Sequence, residues 1–460
     1  MSYKDFFKGK RVAIVGCGLH GALLPDIKFL AKSKANISVY DMRSEARLGK
    51  LAQELRTMTL PGGAAGRITS CTFGAVPAEE LAQAELIILA PEISRSSKFL
   101  KLAHEAGVRI EYVDTLFFKL TPPITLIGIM GSSGKTGTLG MIYDMLRRTF
   151  EEIEGQGLFA IDTETTGALN VLKKIKKGDV VISRIPEQLM SEYCSARITP
   201  HVAVITQISK GVAEDANRFF GLLEFQTYNT FVVASDTTVD MLRKLGGFQP
   251  KSKIIRTRLT TIPDDWKISF PASFVRENAA LALETALLFK SDRDTIRQSL
   301  ENMHHEKGRL EIVKVPKVGK AQKKPENIVV YNDTASVRPE STVAAIRAVG
   351  MGRTGKGLVL ILGGAYTGAS YDELFEVIPE YVSHLIILPG SGTLSERWRF
   401  DSLVGVEVWH TSNIAHAVKV AKDVVQSGGA ILFSPAFDAI GLYESRHARG
   451  DVFVSAMRSI

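Results

Sequence analysis

The chain has 460 residues, 45% of them hydrophobic and 23% charged, which excludes disordered and fibrous classes and leaves room for two to four domains, each with its own core. Its formal charge of +8 is spread along the chain without interleaved aromatics, so it points to anionic small molecules rather than to a nucleic-acid surface. No apolar run approaches the roughly 20 residues of a membrane helix, no signal peptide is visible, and three dispersed cysteines (Cys17, Cys71, Cys194) suggest neither a disulfide framework nor a metal site, so a cytoplasmic monomer is the expectation.

Arg11-Val-Ala-Ile-Val predicts a first strand, followed by the turn Gly16-Cys-Gly18-Leu-His-Gly21, a helix near 22–34 and a strand over Asn36–Asp41. By pattern alone this is a dinucleotide fingerprint, with Asp41 as the ribose acid, and it would suggest an NAD-dependent oxidoreductase. The same turn can bind another nucleotide diphosphate or merely pack a helix close to a strand. Leu86-Ile-Ile-Leu-Ala and Val108-Arg-Ile-Glu-Tyr are further strands, and Thr121-Pro122-Pro123 reads as a linker, because two prolines enforce extended chain.

The second block opens on Thr125-Leu-Ile-Gly-Ile-Met, an apolar strand running into Gly131-Ser132-Ser133-Gly134-Lys135-Thr136 and then a helix. Glycines let successive backbone N–H groups turn inward around an anion, the helix adds its positive end, Lys135 reaches the outer phosphates and Thr136 can ligate magnesium. The spacing is Gly-x-x-Gly-Lys-Thr, shorter than the form with four residues between glycine and Gly-Lys. The expected ligand is ATP, and a second nucleotide loop makes hydride transfer at the first turn less attractive. Strands at Asp179–Ser183, His201–Thr206 and Thr230–Asp236 and helices around 276–303 complete the block. Asn278 on those helices reads either as a surface residue or as a ligand.

From about residue 306 a third block predicts strands at Asn327–Tyr331, Gly357–Leu362, His384–Leu388 and Ala430–Ser434, with helical patterns at 340–349 and 412–427. The basic run Lys314–Lys324, carrying Pro and Gly, reads as a solvated hairpin tip. Asn332-Asp333 falls at a strand end, where Asp333 could bind a ribose hydroxyl or a metal, or where Asp333 or Thr334 could cap a helix. Arg309 could contact a phosphate or simply face solvent. The adjacent His304-His305 cannot face one metal from a regular helix. Strands and helices alternate throughout, which predicts open parallel sheets covered on both faces.

Taken together, these segments resemble the Mur ligases over nearly the whole chain. The resemblance is carried by Gly-x-Gly-Leu-x-Gly, Asp41-Met-Arg43, Ala84-Glu-Leu-Ile-Ile-Leu-Ala-Pro-Glu-Ile, the phosphate loop, Asn278, Arg309, Asn332-Asp-Thr-Ala-Ser, Ile361-Leu-Gly-Gly-Ala and Ser434-Pro-Ala with Arg449-Gly-Asp-x-Phe453. The family member it is most similar to adds D-glutamate to UDP-N-acetylmuramoyl-L-alanine. The resemblance implies a three-domain α/β fold: residues 1–120 a Rossmann-like UDP-substrate domain, 121–305 a central P-loop ATPase domain, and 306–460 a Rossmann-like C-terminal domain.

It further implies ATP and magnesium as cofactors, a UDP-linked muramoyl substrate and an amino acid as partners, and a role in peptidoglycan precursor and cell-wall synthesis. Leu19, His20, Asp41 and Arg43 would surround the uracil end, Asn278 would read adenine, Arg309 would reach the phosphates and Asp333 the ribose. The family reaction phosphorylates a carboxylate and lets an amine attack the acyl phosphate, so charge neutralisation is central to it. Here the sequence departs from the family. The segment holding the magnesium glutamate becomes Ser183-Arg-Ile-Pro-Glu187-Gln-Leu, where the strand end selects Ser183 and a gapless count back from Pro200 selects Glu187. The segment holding a second-metal histidine becomes Gln207-Ile-Ser-Lys210-Gly-Val, and the acceptor positions read Asp333-Thr-Ala335-Ser-Val337, Thr367 and Ala439-Ile440. Two readings follow: an active ligase with Lys135 catalytic and Thr136 with Glu187 on metal, or a nucleotide-binding homologue that has lost catalysis.

Overall fold

In the computed structural model the described residues are 3–18, 21–59, 68–162, 167–208, 216–246, 248–266, 268, 273–303, 307–314, 327–350, 357–443 and 445–459. They form an α/β protein with three sheets. The chain divides into two compact units, Met1–Pro263 with Asn278–Leu300, and Asp264–Glu277 with Glu301–Ile460.

The first unit carries two sheets. In one, β1 (Arg11–Val15), β2 (Asn36–Asp41), β3 (Ile68–Phe73), β4 (Leu86–Leu89) and β5 (Arg109–Tyr112) lie in the order β3-β2-β1-β4-β5, all parallel. In the other, β6 (Thr125–Met130), β7 (Leu158–Ile161), β8 (Val180–Arg184), β9 (Val202–Ile205), β10 (Phe231–Ser235) and β11 (Lys253–Thr257) lie in the order β11-β10-β9-β6-β8-β7, again all parallel. Parallel pairing needs a crossover after each strand, and the helices that make those crossovers bury both faces of the sheet. The central strands accordingly have almost no exposed residue: β4 and β9 are buried throughout, and β6 is buried from Leu126 to Met130. One apolar cluster joins the two sheets, with Phe7, Ile14, Phe117, Leu126 and Val181 all in it.

Neighbouring strands β6 and β9 lead off in opposite directions, β6 toward β7 and β9 toward β10, which is the switch point where open α/β sheets bind ligands beyond their carboxyl ends. Register brings the site together. Ile129 lies opposite Arg184 and Val204, Met130 opposite Ile205, and Ile161 opposite Ser183, so Gly131, Asp162, Arg184 and Thr206 emerge at one edge.

The second unit holds β12 (Glu311–Ile312), β13 (Val329–Asn332), β14 (Leu358–Leu362), β15 (Val382–Ile387), β16 (Glu407–His410) and β17 (Ala430–Phe433), ordered β12-β13-β17-β14-β15-β16. Only β12 is antiparallel, pairing with β13 across the basic run, whose residues from 315 to 324 lie outside the described ones. The helices expected at 340–349 and 412–427 are Pro339–Gly350 and Ile414–Val424. The helix begins at Pro339, so neither Asp333 nor Thr334 caps it. Among the described residues, no helix is long and apolar enough to cross a membrane.

Candidate functional site

Strand β6 ends at Met130 and the helix Lys135–Glu151 begins after a four-residue turn. The turn between them is possible only for glycine at its two ends. Gly131 has φ 133° and a Cβ there would lie 2.2 Å from the Thr206 hydroxyl; Gly134 has φ 83° and a Cβ there would lie 2.7 Å from both the amide nitrogen and the amide oxygen of Asn278. The loop is sewn to the end of β9: Ser132 N–H donates to the Gln207 carbonyl at 2.8 Å, Ser133 N–H to the same oxygen at 3.3 Å, and the Ser133 hydroxyl to Gln207 Oε1 at 3.0 Å. A helix start with a glycine-bounded turn ahead of it is a ready site for phosphate.

Lys135 folds back over the loop, its Nζ donating to the Gly131 carbonyl, with Glu187 Oε1 3.8 Å away. Glu187 opens a short turn after β8, and its Oε1 is buried without a hydrogen-bond partner, so the ammonium is the group that answers its charge. Ser183, the other reading of that position, is fully buried inside β8 and pairs with Gly128, so of the two only Glu187 brings a carboxylate to the loop. Thr136 meets a different residue: its hydroxyl donates to Asp162 Oδ2 at 3.3 Å, and Asp162 Oδ1 is 3.2 Å from Arg184 Nε, with both side chains buried.

The two residues expected to share magnesium therefore have separate partners, Thr136 with Asp162 and Glu187 with Lys135. A divalent cation takes oxygen ligands that have no competing cation. Here a lysine answers one carboxylate and an arginine the other, so these residues do not fit a dedicated divalent site. Among the described residues no cluster of three or more His, Cys, Asp or Glu could hold a metal.

Asn278 is neither on the helix surface nor remote. It is buried and its side chain sits against Gly134. Arg309 and Asp333 belong to the second unit and are close to each other there. Asp333 is buried, with Leu310 N–H donating to Oδ1 at 3.1 Å and the Ser434 hydroxyl to Oδ2 at 2.7 Å. Burial pushes its carboxyl up to about 6, against the opposing pull of the Ser434, Ser336 and Leu310 hydrogen bonds and the Arg309 charge. Around it, Arg449 is wholly buried and donates to the Phe437 carbonyl at 3.0 Å, Thr334 at 3.3 Å and Gly363 at 3.4 Å, tying together the loops after β13, β14 and β17. Desolvation lowers this guanidinium to about 10.

At the first turn, Leu19 and His20 lie outside the described residues. Asp41 accepts from Cys17 N–H at 2.9 Å, and Arg43 donates to both its oxygens, at 2.9 and 2.7 Å, and to the Gly18 carbonyl at 3.1 Å. Burial alone would raise Asp41, but the Arg43 and Cys17 hydrogen bonds outweigh it and hold the carboxyl below its ordinary range. This locked pair shapes the mouth of the turn.

The sequence left Asp162, Arg184 and Gln207 without a role. Position was the available signal for the last two, since each directly follows an expected strand; Asp162 follows β7, whose apolar run Leu158–Ile161 is short and only partly buried.

Residues 10–111 match the family described as Mur ligase MurD-like, N-terminal domain. The chain is 25% identical over 470 residues to a UDP-N-acetylmuramoylalanine–D-glutamate ligase of Clostridioides difficile, covering 97% of this chain and 98% of the relative. Among solved structures it is similar to the UDP-N-acetylmuramate-alanine ligase MurC of Thermotoga maritima (TM-score 0.60, 16% identity, 97% of this chain and 98% of that one). It is also similar to a MurF ligase from Thermotoga maritima in complex with ADP (TM-score 0.54, 14% identity, 92% and 95%).

Proposed function

From the homology of this chain to the Mur ligases, we infer that it is an ATP-dependent ligase that joins an amino acid to the carboxylate of a UDP-linked muramoyl substrate, with D-glutamate as the first candidate acceptor. The observation that carries this reading is the loop from Gly131 to Thr136, formed by glycines where a Cβ would collide and flanked by a buried Asn278. The homologous ligase of Clostridioides difficile is named for D-glutamate, and a structural relative was solved with ADP.

In this reading the substrate carboxylate takes the terminal phosphoryl group of ATP, and the amine then displaces phosphate from the resulting acyl phosphate. Lys135 carries the central role: it is the positive charge at the helix start, and in this reading phosphate oxygens replace the Gly131 and Ser132 carbonyls at its ammonium while Glu187 stays beside it. Thr136 and the helix N-terminus orient the anion, and Asn278 offers an amide to the base. On the substrate side, Asp41 and Arg43 hold the first turn open to the UDP moiety. Magnesium belongs to the family pattern, with Thr136 and Glu187 as candidate ligands; because both are paired otherwise here, the reading assigns phosphate charge first to Lys135.

A second reading, a nucleotide-binding homologue without turnover, is favoured by the Gln207 carbonyl, which occupies the Ser132 and Ser133 N–H groups that a phosphate would use. One assay separates the two. Purified protein with ATP, magnesium and UDP-N-acetylmuramoyl-L-alanine releases phosphate only when D-glutamate is added if the first reading holds. Release with a different amino acid redefines the acceptor, and no amino-acid-dependent release leaves the second reading standing.

A further inference from the structure

The corner formed by Thr136, Asp162 and Arg184 carries an inference that builds on the ATP reading of the loop. A phosphate loop ordinarily ends in a hydroxyl that helps to hold a cation, and the carboxylate beside that hydroxyl is where the cation would be bound. In this chain the hydroxyl is Thr136 and the carboxylate is Asp162, at 3.3 Å. The positive charge is already there: Arg184 Nε lies 3.2 Å from the other oxygen of Asp162. We propose that Arg184 is a built-in cation in place of a divalent metal, so that the site binds the phosphates of a nucleoside di- or triphosphate without magnesium.

Three observations carry this. Arg184 is the last residue of β8 and Asp162 directly follows β7, its neighbour in the sheet, so the pair is fixed by register at the same edge as the loop rather than by a chance side-chain rotamer. Both side chains are buried, where an ion pair is screened little and is costly to part. The second carboxylate at the loop, Glu187, is likewise faced by a cation, Lys135, so neither acidic group stands ready for a divalent ion. A guanidinium is charged at every physiological pH and presents five N–H donors in a planar fork, so one ion-paired with a carboxylate at 3.2 Å also suits a phosphate beside it. A metal entering next to it would have to share Asp162 with a fixed positive charge.

The test measures binding rather than turnover. ADP is titrated calorimetrically into the full chain in EDTA and again in magnesium chloride, and the same is done with Arg184→Ala and Arg184→Lys. The wild-type affinities are expected to agree within about threefold, Arg184→Lys to keep that indifference, and Arg184→Ala to lose about tenfold or more in EDTA and recover it with magnesium as Asp162 becomes available. Wild-type binding that weakens about tenfold or more when magnesium is removed overturns the proposal, as does an Arg184→Ala variant that stays indifferent to metal. Should Arg184→Ala fail to fold, manganese electron paramagnetic resonance on the wild type decides. Manganese recruited to the protein–ADP complex beyond what free ADP holds refutes the built-in cation, and none recruited supports it. No ADP binding in either buffer overturns the ATP reading itself, and this inference with it.

Discussion

The first unit contains two turns that look alike in sequence, Gly16-Cys-Gly18 after β1 and Gly131-Ser-Ser-Gly134 after β6, and the structure uses them differently. At the first, a Cβ on Gly16 would lie 2.9 Å from the Ala90 Cβ, so that glycine exists for apolar packing, and the neighbouring acid, Asp41, is committed to Cys17 N–H and Arg43. At the second, the added Cβ atoms would meet the polar groups of Thr206 and Asn278, and the chain passes straight into a long helix with a lysine at its first position. The glycine spacing says only that the backbone must turn tightly. What the turn can bind is set by side chains delivered by other strands and helices.

The sharpest way to break that contrast is Lys135→Ala. Under the ligase reading it lowers amino-acid-dependent phosphate release by about 100-fold or more, the loss of roughly 2.7 kcal/mol of transition-state stabilisation. Turnover within a few-fold of wild type, in protein whose circular dichroism is unchanged, would remove the loop from the mechanism. Next in size is Gly16→Ala, which puts a Cβ at φ 83° into the Ala90 contact and should cost about 1–3 kcal/mol of stability without changing ADP affinity. Denaturant midpoints and an ADP titration on the same samples check it, and a large affinity loss with an unchanged midpoint would mean that the first turn also holds the nucleotide.

Asn278→Ala is expected to weaken ATP by about tenfold while affecting GTP less, because an amide that reads a base is worth about 1–2 kcal/mol. Equal losses for both nucleotides would make Asn278 a support for Gly134 rather than a reader. The last test concerns pH. Burial pushes Asp26 and Asp114 up to about 7, so in the folded chain both hold a proton over a range in which the unfolded chain, with carboxyls near 3.8, has lost it. The native state then binds more protons than the unfolded one, and this contribution to stability is full below about pH 4 and lost as pH rises toward 7. Asp26→Asn with Asp114→Asn should flatten the fall in denaturant midpoint between about pH 4 and pH 7, the range between the unfolded and folded values of these carboxyls; an unchanged slope would show that neither carboxyl titrates there.

Most of the fold was legible because the strands that matter most are continuous Val, Ile and Leu runs buried on both faces. Those found only in the structure are mainly sheet edges: β3, β7, β11 and β16 lie at the ends of their sheets and are partly exposed, as the burial of Lys253–Thr257 and Glu407–His410 shows. An edge strand with one uncovered flank needs no long apolar run, so β3, β11 and β16 mix polar with apolar residues and β7 has only the four residues Leu158–Ile161 to announce it.

By itself the sequence determined the alternation of strands and helices, the two glycine turns and the order of motifs by which this chain resembles the Mur ligases. These are local properties, written in residues that are neighbours along the chain. Only the tertiary structure decided which carboxylate reaches the loop, that Asn278 packs against Gly134, that Asp333 is enclosed by Leu310 and Ser434, and that Arg184 meets Asp162 beside Thr136. Each of those pairings joins residues distant in sequence through strand register and burial, and charges are free to choose partners only after the strands that carry them have been set side by side.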